Sequence, residues 1–379
     1  CSGEYKTSSE SNLLKMYFKD IIGQEEAKQR LIKEAMENKI PHARLFCGKE
    51  GVGKLPLAIA YARYLSCMHR TETDACGVCP NCKMYDKVAH PDLHFVYPVV
   101  KRKNKDTVSD DFLSEWRDIL NHTPYFGLSQ WLEAMSAENQ QAQIFVKESD
   151  EMIRKLSLKS SQGGYKVMIV WLPEKMNQEC SNKLLKLLEE PPFQTIFILV
   201  SEEPDALITT IQSRTQRFNI PGIDEKSMYE VLEKHYGLQI EDAQEIARRS
   251  EGSLLKALET IHLNEENTQF FEWFVGLMRL AYQRKIRDMK AWSEELASIG
   301  RERQKHFLAY AQRMIRENFI YNFHSPSINY LNEKEQQFAT RFAPYINEGN
   351  VIGIMNELSE AEGLISQDVS ARMVFFDFA

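Results

Sequence analysis

Two groups of residues in this sequence have the types and spacing to do chemistry. The first is Leu45-Phe46-Cys47-Gly48-Lys49-Glu50-Gly51-Val52-Gly53-Lys54-Leu55, where an apolar run ends in a glycine-rich turn and a lysine, ahead of a helical pattern from Leu57 to Leu65. It follows the phosphate-binding pattern G-x-x-x-x-G-K-[ST] at every position but the last. Glycines at 48, 51 and 53, with Val52 between, let backbone N–H groups turn toward phosphates, and Lys54 reaches the outer ones. The last position should carry the hydroxyl that holds Mg²⁺, and here it is Leu55. A leucine cannot ligate the metal that neutralises charge during phosphoryl transfer. The pattern therefore predicts a nucleotide-binding fold in which ATP or another nucleotide could bind but is not expected to be hydrolysed. The plainer alternative is a glycine turn that caps a helix.

The second group is Cys67-x8-Cys76-x2-Cys79-x2-Cys82. Two C-x2-C steps share Cys79, and Cys67 ends the preceding helical pattern. Together they can supply four thiolates to one tetrahedral Zn²⁺, a closed and structural site. Gly77, Pro80 and Asn81 provide the turns between them. An Fe–S cluster and unrelated free thiols are the alternatives.

Elements that position these groups are legible as periodic runs. Helices are expected at Gln24–Asn38, after the glycine loop to about Met68, and at Asn182–Glu190, which Pro191-Pro192 ends. Leu45–Cys47, Leu93–Tyr97, Tyr165–Leu172, Thr195–Val200 and Gln216–Ile220 read as strands, several apolar enough to be buried on both faces. The 165–172 strand should end in acidic residues if it held Mg²⁺, yet it ends Trp171-Leu172-Pro173-Glu174. Alternating strands and helices imply a parallel α/β sheet over 16–220 with helices on both faces. An insertion over 98–142 carries Trp116, Tyr125, Phe126 and Trp131 as packing residues. Ile144–Leu156 reads as a strand entering a helix. Beyond 221 only helices are expected: 224–235, 240–249 and 253–262 in a small lid over 221–263, then an all-helical region over 264–379 with helices such as 270–281 and 307–319.

The chain has 379 residues, 43% hydrophobic and 27% charged, the composition of a globular protein of two or three domains. No apolar run approaches the roughly 20 residues of a membrane helix. The net charge of −7 argues against a stand-alone nucleic-acid binder. Lys101–Lys105 is a short basic run, read as a solvated loop. Residues 1–15 are expected to be a disordered or appended extension without a signal-peptide core, and Met16 is a candidate natural start. Seven cysteines in this setting point to metal in a reducing, cytoplasmic environment.

Phe18–Gln24 (FKDIIGQ), Ile40-Pro41-His42-Ala43, the glycine loop, the cysteine spacing, Asn182–Pro192 (NKLLKLLEEPP), Ile211–Thr215 (IQSRT) and Met373–Phe376 together resemble the bacterial DNA polymerase III clamp-loader branch of the AAA+ ATPases. The resemblance implies a AAA+ domain, a helical lid and a helical collar. In motor subunits of that family both metal-holding motifs are kept. Here Leu55, Trp171-Leu172, and Leu255 at the sensor-arginine position all depart from them, which implies a delta-prime-like subunit without its own hydrolysis. It further implies that Arg214, positioned by Ser213, is an arginine finger for a neighbouring subunit. The implied partners are gamma/tau and delta subunits in a hetero-pentameric ring, with the sliding clamp and primer-template DNA reached through the complex and no membrane. An active motor subunit that recruits Glu174 for Mg²⁺, and a zinc-dependent nucleic-acid-binding module, are the competing readings.

Overall fold

Alternate residues of each central strand face two different cores. The structure, a computed structural model, describes residues 16–102, 106–161, 163–323, 331–367 and 369–378. The expected 1–15 extension and the Lys103–Lys105 end of the basic run lie outside the described residues. Lys101 and Arg102 stand over the rings of Phe145 and Phe112, at 5.9 and 4.2 Å.

The first elements are α1 (Glu25–Met36), β1 (Ala43–Cys47), α2 (Lys54–Ser66), α3 (Pro80–Tyr85) and β2 (Leu93–Val96). The insertion contributes α4 (Leu113–His122) and α5 (Leu128–Ala134), followed by α6 (Val146–Ser157), β3 (Lys166–Trp171) and α7 (Gln178–Glu189). After β4 (Thr195–Ser201), α8 (Thr209–Gln212) and β5 (Gln216–Asn219), the chain is helical: α9 (Glu225–Tyr236), α10 (Ile240–Arg249) and α11 (Leu254–Gln283). The strands form one parallel sheet in the order β2-β3-β4-β1-β5. Such connections require crossovers, which α2, α6 and α7 supply.

Period-two alternation assigns the sheet faces. Phe46, Val167, Ile169, Trp171, Ile196, Ile198 and Val200 pack with α1, α2, the cysteine module and the insertion. Leu45, Cys47, Met168, Val170, Phe197 and Leu199 pack with α6, α7 and α8. Helices therefore cover both faces, as the continuous apolar runs require. Two expectations are corrected. Residues 143–144 make only isolated bridges, Val99 with Gln143 and Ile144 with Met176, rather than a strand. The separate helices expected at 253–262 and 270–281 are one helix, α11, because the polar stretch Asn264–Gln269 contains no glycine or proline to break it.

The chain divides into two compact units, 1–260 and 261–379. The second has its own core, in which α12 (Ile286–Ala297), α13 (Arg301–Tyr321), α14 (Glu333–Phe342), α15 (Val351–Ser366) and α16 (Ala371–Phe378) gather Phe274, Trp292, Phe307, Met314 and Phe375. No helix among the described residues is long and apolar enough to cross a membrane.

One buried acid gives unit 1 a pH signature. Glu148 is 2% exposed and accepts the Ser109 N–H at 2.6 Å. Burial pushes its pKa up from 4.5 to about 7, while the Ser109 N–H and Lys155 pull it down. The folded state thus holds more protons than the unfolded state between those values, so stability falls as pH rises through that window. Glu148→Gln should flatten this decline by on the order of 2 kcal/mol, read from chemical denaturation at about pH 5 and about pH 8. An unchanged slope would contradict it.

Candidate functional site

The glycine loop leaves β1 at Cys47 and enters α2 at Lys54. Gly51 and Gly53 take φ values of +77° and +91°, a region that side chains resist, and Gly53 is the residue that caps α2. Loop carbonyls are held from two sides: Gln24 Nε2 donates to Val52 O at 3.2 Å and to Pro221 O at 2.7 Å, and Leu254 N donates to Gly51 O at 3.0 Å. Gly48 packs so closely on the Ile220 carbonyl that a Cβ there would collide with it. Sequence and structure agree on a strand, a glycine turn and a helix in that order.

The pocket beneath it is filled by the chain itself. Lys54 is 4% exposed; its ammonium donates to the Lys49 carbonyl and lies 3.7 Å from Glu202 Oε1. Burial pushes Lys54 down and Glu202 up to about 7, with their mutual attraction opposing both shifts. Leu55, Trp171 and Leu172, three residues that depart from the sequence pattern, are all buried. Trp171 packs on Trp116 and Phe126, at 5.4 and 5.2 Å between ring centres. Leu255 is buried beside Gly51. Tyr125 lies against Gly53, and its hydroxyl accepts the Ile22 N–H at 3.0 Å. The remaining cavity, lined by Gly51, Gly53, Lys54, Leu55, Tyr125 and Glu202 among others, is about 20 Å³, room for roughly one water. These residues do not fit Mg²⁺ or a nucleotide. Glu174 Oε1 accepts the backbone N–H groups of Glu202 and Glu203 at 2.9 and 3.3 Å, and its Oε2 is buried without a hydrogen-bond partner.

Sequence reasoning missed Glu202 and the placement of Tyr125. The sequence signals only that Glu202 is an acid directly after a buried strand; the pairing of β4 with β1, which sets Ser201 beside Cys47, is what brings it to the loop. Tyr125 was legible only as an aromatic in an insertion.

Ser213 and Arg214 follow α8 at the opposite edge of the sheet. β5 begins at Gln216, which pairs with Arg44 near the start of β1, whereas the glycine loop follows the end of β1. The intervening strand spans roughly 10–15 Å. Arg214 Nη2 pairs with Glu189 Oε1 at 2.6 Å and Nη1 donates to Thr210 O at 3.0 Å, with the side chain 35% exposed. Ser213 Oγ donates to the same Thr210 carbonyl at 3.1 Å. The structure thus keeps Arg214 apart from Lys54 and leaves it partly open to solvent.

The four cysteines converge as spaced. Cys67 ends α2, Cys79 caps α3 with Pro80 in its first turn, and Cys82 lies inside α3. Their Sγ atoms all lie within 4.8 Å of one another. The Cys76 N–H donates to Cys67 Sγ at 3.2 Å and the Cys79 N–H to Cys76 Sγ at 3.4 Å. The Val78 N–H, foremost among several donors, brings Cys76 down to about 6, and burial raises Cys67 and Cys82. Four convergent sulfurs with backbone donors fit a tetrahedral, thiophilic metal such as zinc.

Residues 23–224 match the family described as "DNA polymerase III, delta subunit". DNA polymerase III subunit tau of Escherichia coli K12 is 28% identical over 64% of this chain and 32% of its own length. DNA polymerase III subunit delta' of Bacillus subtilis 168 is 25% identical over 69% of this chain and 73% of its own. The chain thus spans about a third of the tau relative. A gamma subunit-related protein of Thermotoga maritima aligns structurally over 90% of this chain and 99% of its own at 14% identity, with a TM-score of 0.35 that is too low to bear on the argument. With a family match over more than half its residues, on a five-stranded parallel sheet, the chain belongs to the DNA polymerase III clamp-loader family.

Proposed function

We propose that this chain is a delta-prime-like, non-hydrolysing subunit of the DNA polymerase III clamp loader. It would help place the sliding clamp on primed DNA as one member of a ring with gamma/tau and delta subunits. The observation that carries this reading is the opposed placement of its two halves of a hydrolysis site. The loop edge is sealed by Leu55, Trp171, Leu172 and Leu255, while Ser213-Arg214 stands at the other sheet edge, out of reach of its own loop and partly exposed. A group so placed would serve a nucleotide held by a neighbour, where a guanidinium stabilises charge developing on the outer phosphate. Glu189, paired with Arg214, would hold it ready. We read 16–220 as the nucleotide-binding-like domain, 221–263 as its lid and 264–379 as a collar for assembly.

In a reconstituted ring, Arg214→Ala should lower turnover at the facing site by up to about 10³-fold while leaving assembly intact. Undiminished ATPase activity in a ring of normal composition would sink the assignment.

The cysteine cluster we read as a structural Zn²⁺ site held by Cys67, Cys76, Cys79 and Cys82. When bound, the metal would cross-link the end of α2 to α3. Metal analysis of protein purified without chelator should find about one Zn²⁺ per chain, and Cys82→Ser should lose it and lower Tm by about 5–10 °C. Protein that carries no metal as purified, or that melts at the same temperature as Cys82→Ser, would refute the site.

A further inference from the structure

The misfit between the phosphate loop and any nucleotide goes further than a missing metal ligand. We propose that Pro124-Tyr125-Phe126 and Glu202 form a built-in occupant of the nucleotide pocket, Glu202 standing in for a phosphate on Lys54 and Tyr125 blocking the way over Gly53, so that the chain excludes nucleotides with or without Mg²⁺. This rests on reading the loop as a phosphate loop, but a non-hydrolysing subunit does not require it.

Three observations carry the inference. The cavity left is about 20 Å³, whereas small-molecule sites measure hundreds of Å³. Two polar groups at the pocket are engaged from within: the Lys54 ammonium by Glu202 and the Lys49 carbonyl, and the Ile22 N–H by the Tyr125 hydroxyl. The segment carrying Tyr125 is anchored rather than draped. Phe126 packs on Trp116 and Trp171, Trp116 stacks on Tyr97 at 4.0 Å, and Trp131 Nε1 donates to Pro98 O at 2.7 Å. It also meets the loop a second time, because Glu50 approaches Gly127 so closely that a Cβ at 127 would overlap its carboxylate. Glu174 fixes the turn that presents Glu202 by accepting its backbone N–H. The insertion thereby acquires a role: it supplies the aromatic part of the plug.

Calorimetric titration with ADP, with and without Mg²⁺, tests the exclusion. The native chain should bind more weakly than about 1 mM, and Tyr125→Ala/Glu202→Ala should bind at least about tenfold more tightly. Micromolar binding by the native chain would overturn the plug. So would a double variant that is folded by near-UV circular dichroism yet gains nothing. If the double variant does not fold, Glu202→Ala alone, titrated with pyrophosphate, decides whether Glu202 is the internal anion: gained binding supports it, and no gain removes it. Native binding without turnover would defeat the plug and leave the non-hydrolysing role standing. Mg²⁺-dependent turnover by the chain alone would defeat that role as well.

Discussion

The burial of one ammonium group organises the centre of this protein. Lys54 is 4% exposed, and a lysine so enclosed needs an anion or strong acceptors, or it gives up its proton. In a working phosphate loop the nucleotide provides the anion. Here Glu202 and the Lys49 carbonyl provide the compensation, and Glu174 braces the turn that carries Glu202. Once that arrangement exists, Leu55, Trp171 and Leu172 can all be apolar without stranding a charge, and the aromatic insertion can close over them.

The parallel sheet separates the glycine loop from Ser213-Arg214. Parallel strands put every strand-to-helix loop at one edge and every returning loop at the other. The glycine loop therefore lies at one edge and Ser213-Arg214 at the other, whatever their side chains. A chain whose own phosphate site is closed can still present a cation from the far edge to a neighbour. On the proposed function, loss of one role and retention of the other would be compatible because the fold keeps the two segments apart.

The cysteine module and the lead-in segment depend on each other. Asp74 accepts the N–H groups of Phe18 and Lys19, Tyr17 donates to Asp86, and Arg63, wholly buried, pairs with Asp86 at 2.9 Å and lies over the Tyr17 ring at 3.9 Å. That segment leads into Gln24, which pins the glycine loop. A metal holding Cys67 to Cys82 would thus steady, through hydrogen bonds rather than direct ligation, the loop on the other side of α2.

The sequence by itself determined the alternation of buried strands and helices, because residues buried on both faces of a sheet must be apolar in unbroken runs. It also determined the glycine loop with its missing hydroxyl, and the four cysteines, because φ preferences and ligand chemistry belong to single residues at short spacing. It does not reveal that α11 is continuous through a polar stretch without glycine or proline, or that Tyr125 is more than a packing residue. Only the tertiary structure decided that Glu202 meets Lys54, 148 positions earlier in the chain, and that Arg214 stands at the opposite edge from the loop. The physical reason is the same for both. Pairing of β1 with β4 and β5 sets which distant residues share a sheet edge, and strand order is a property of the packed sheet that no local pattern encodes.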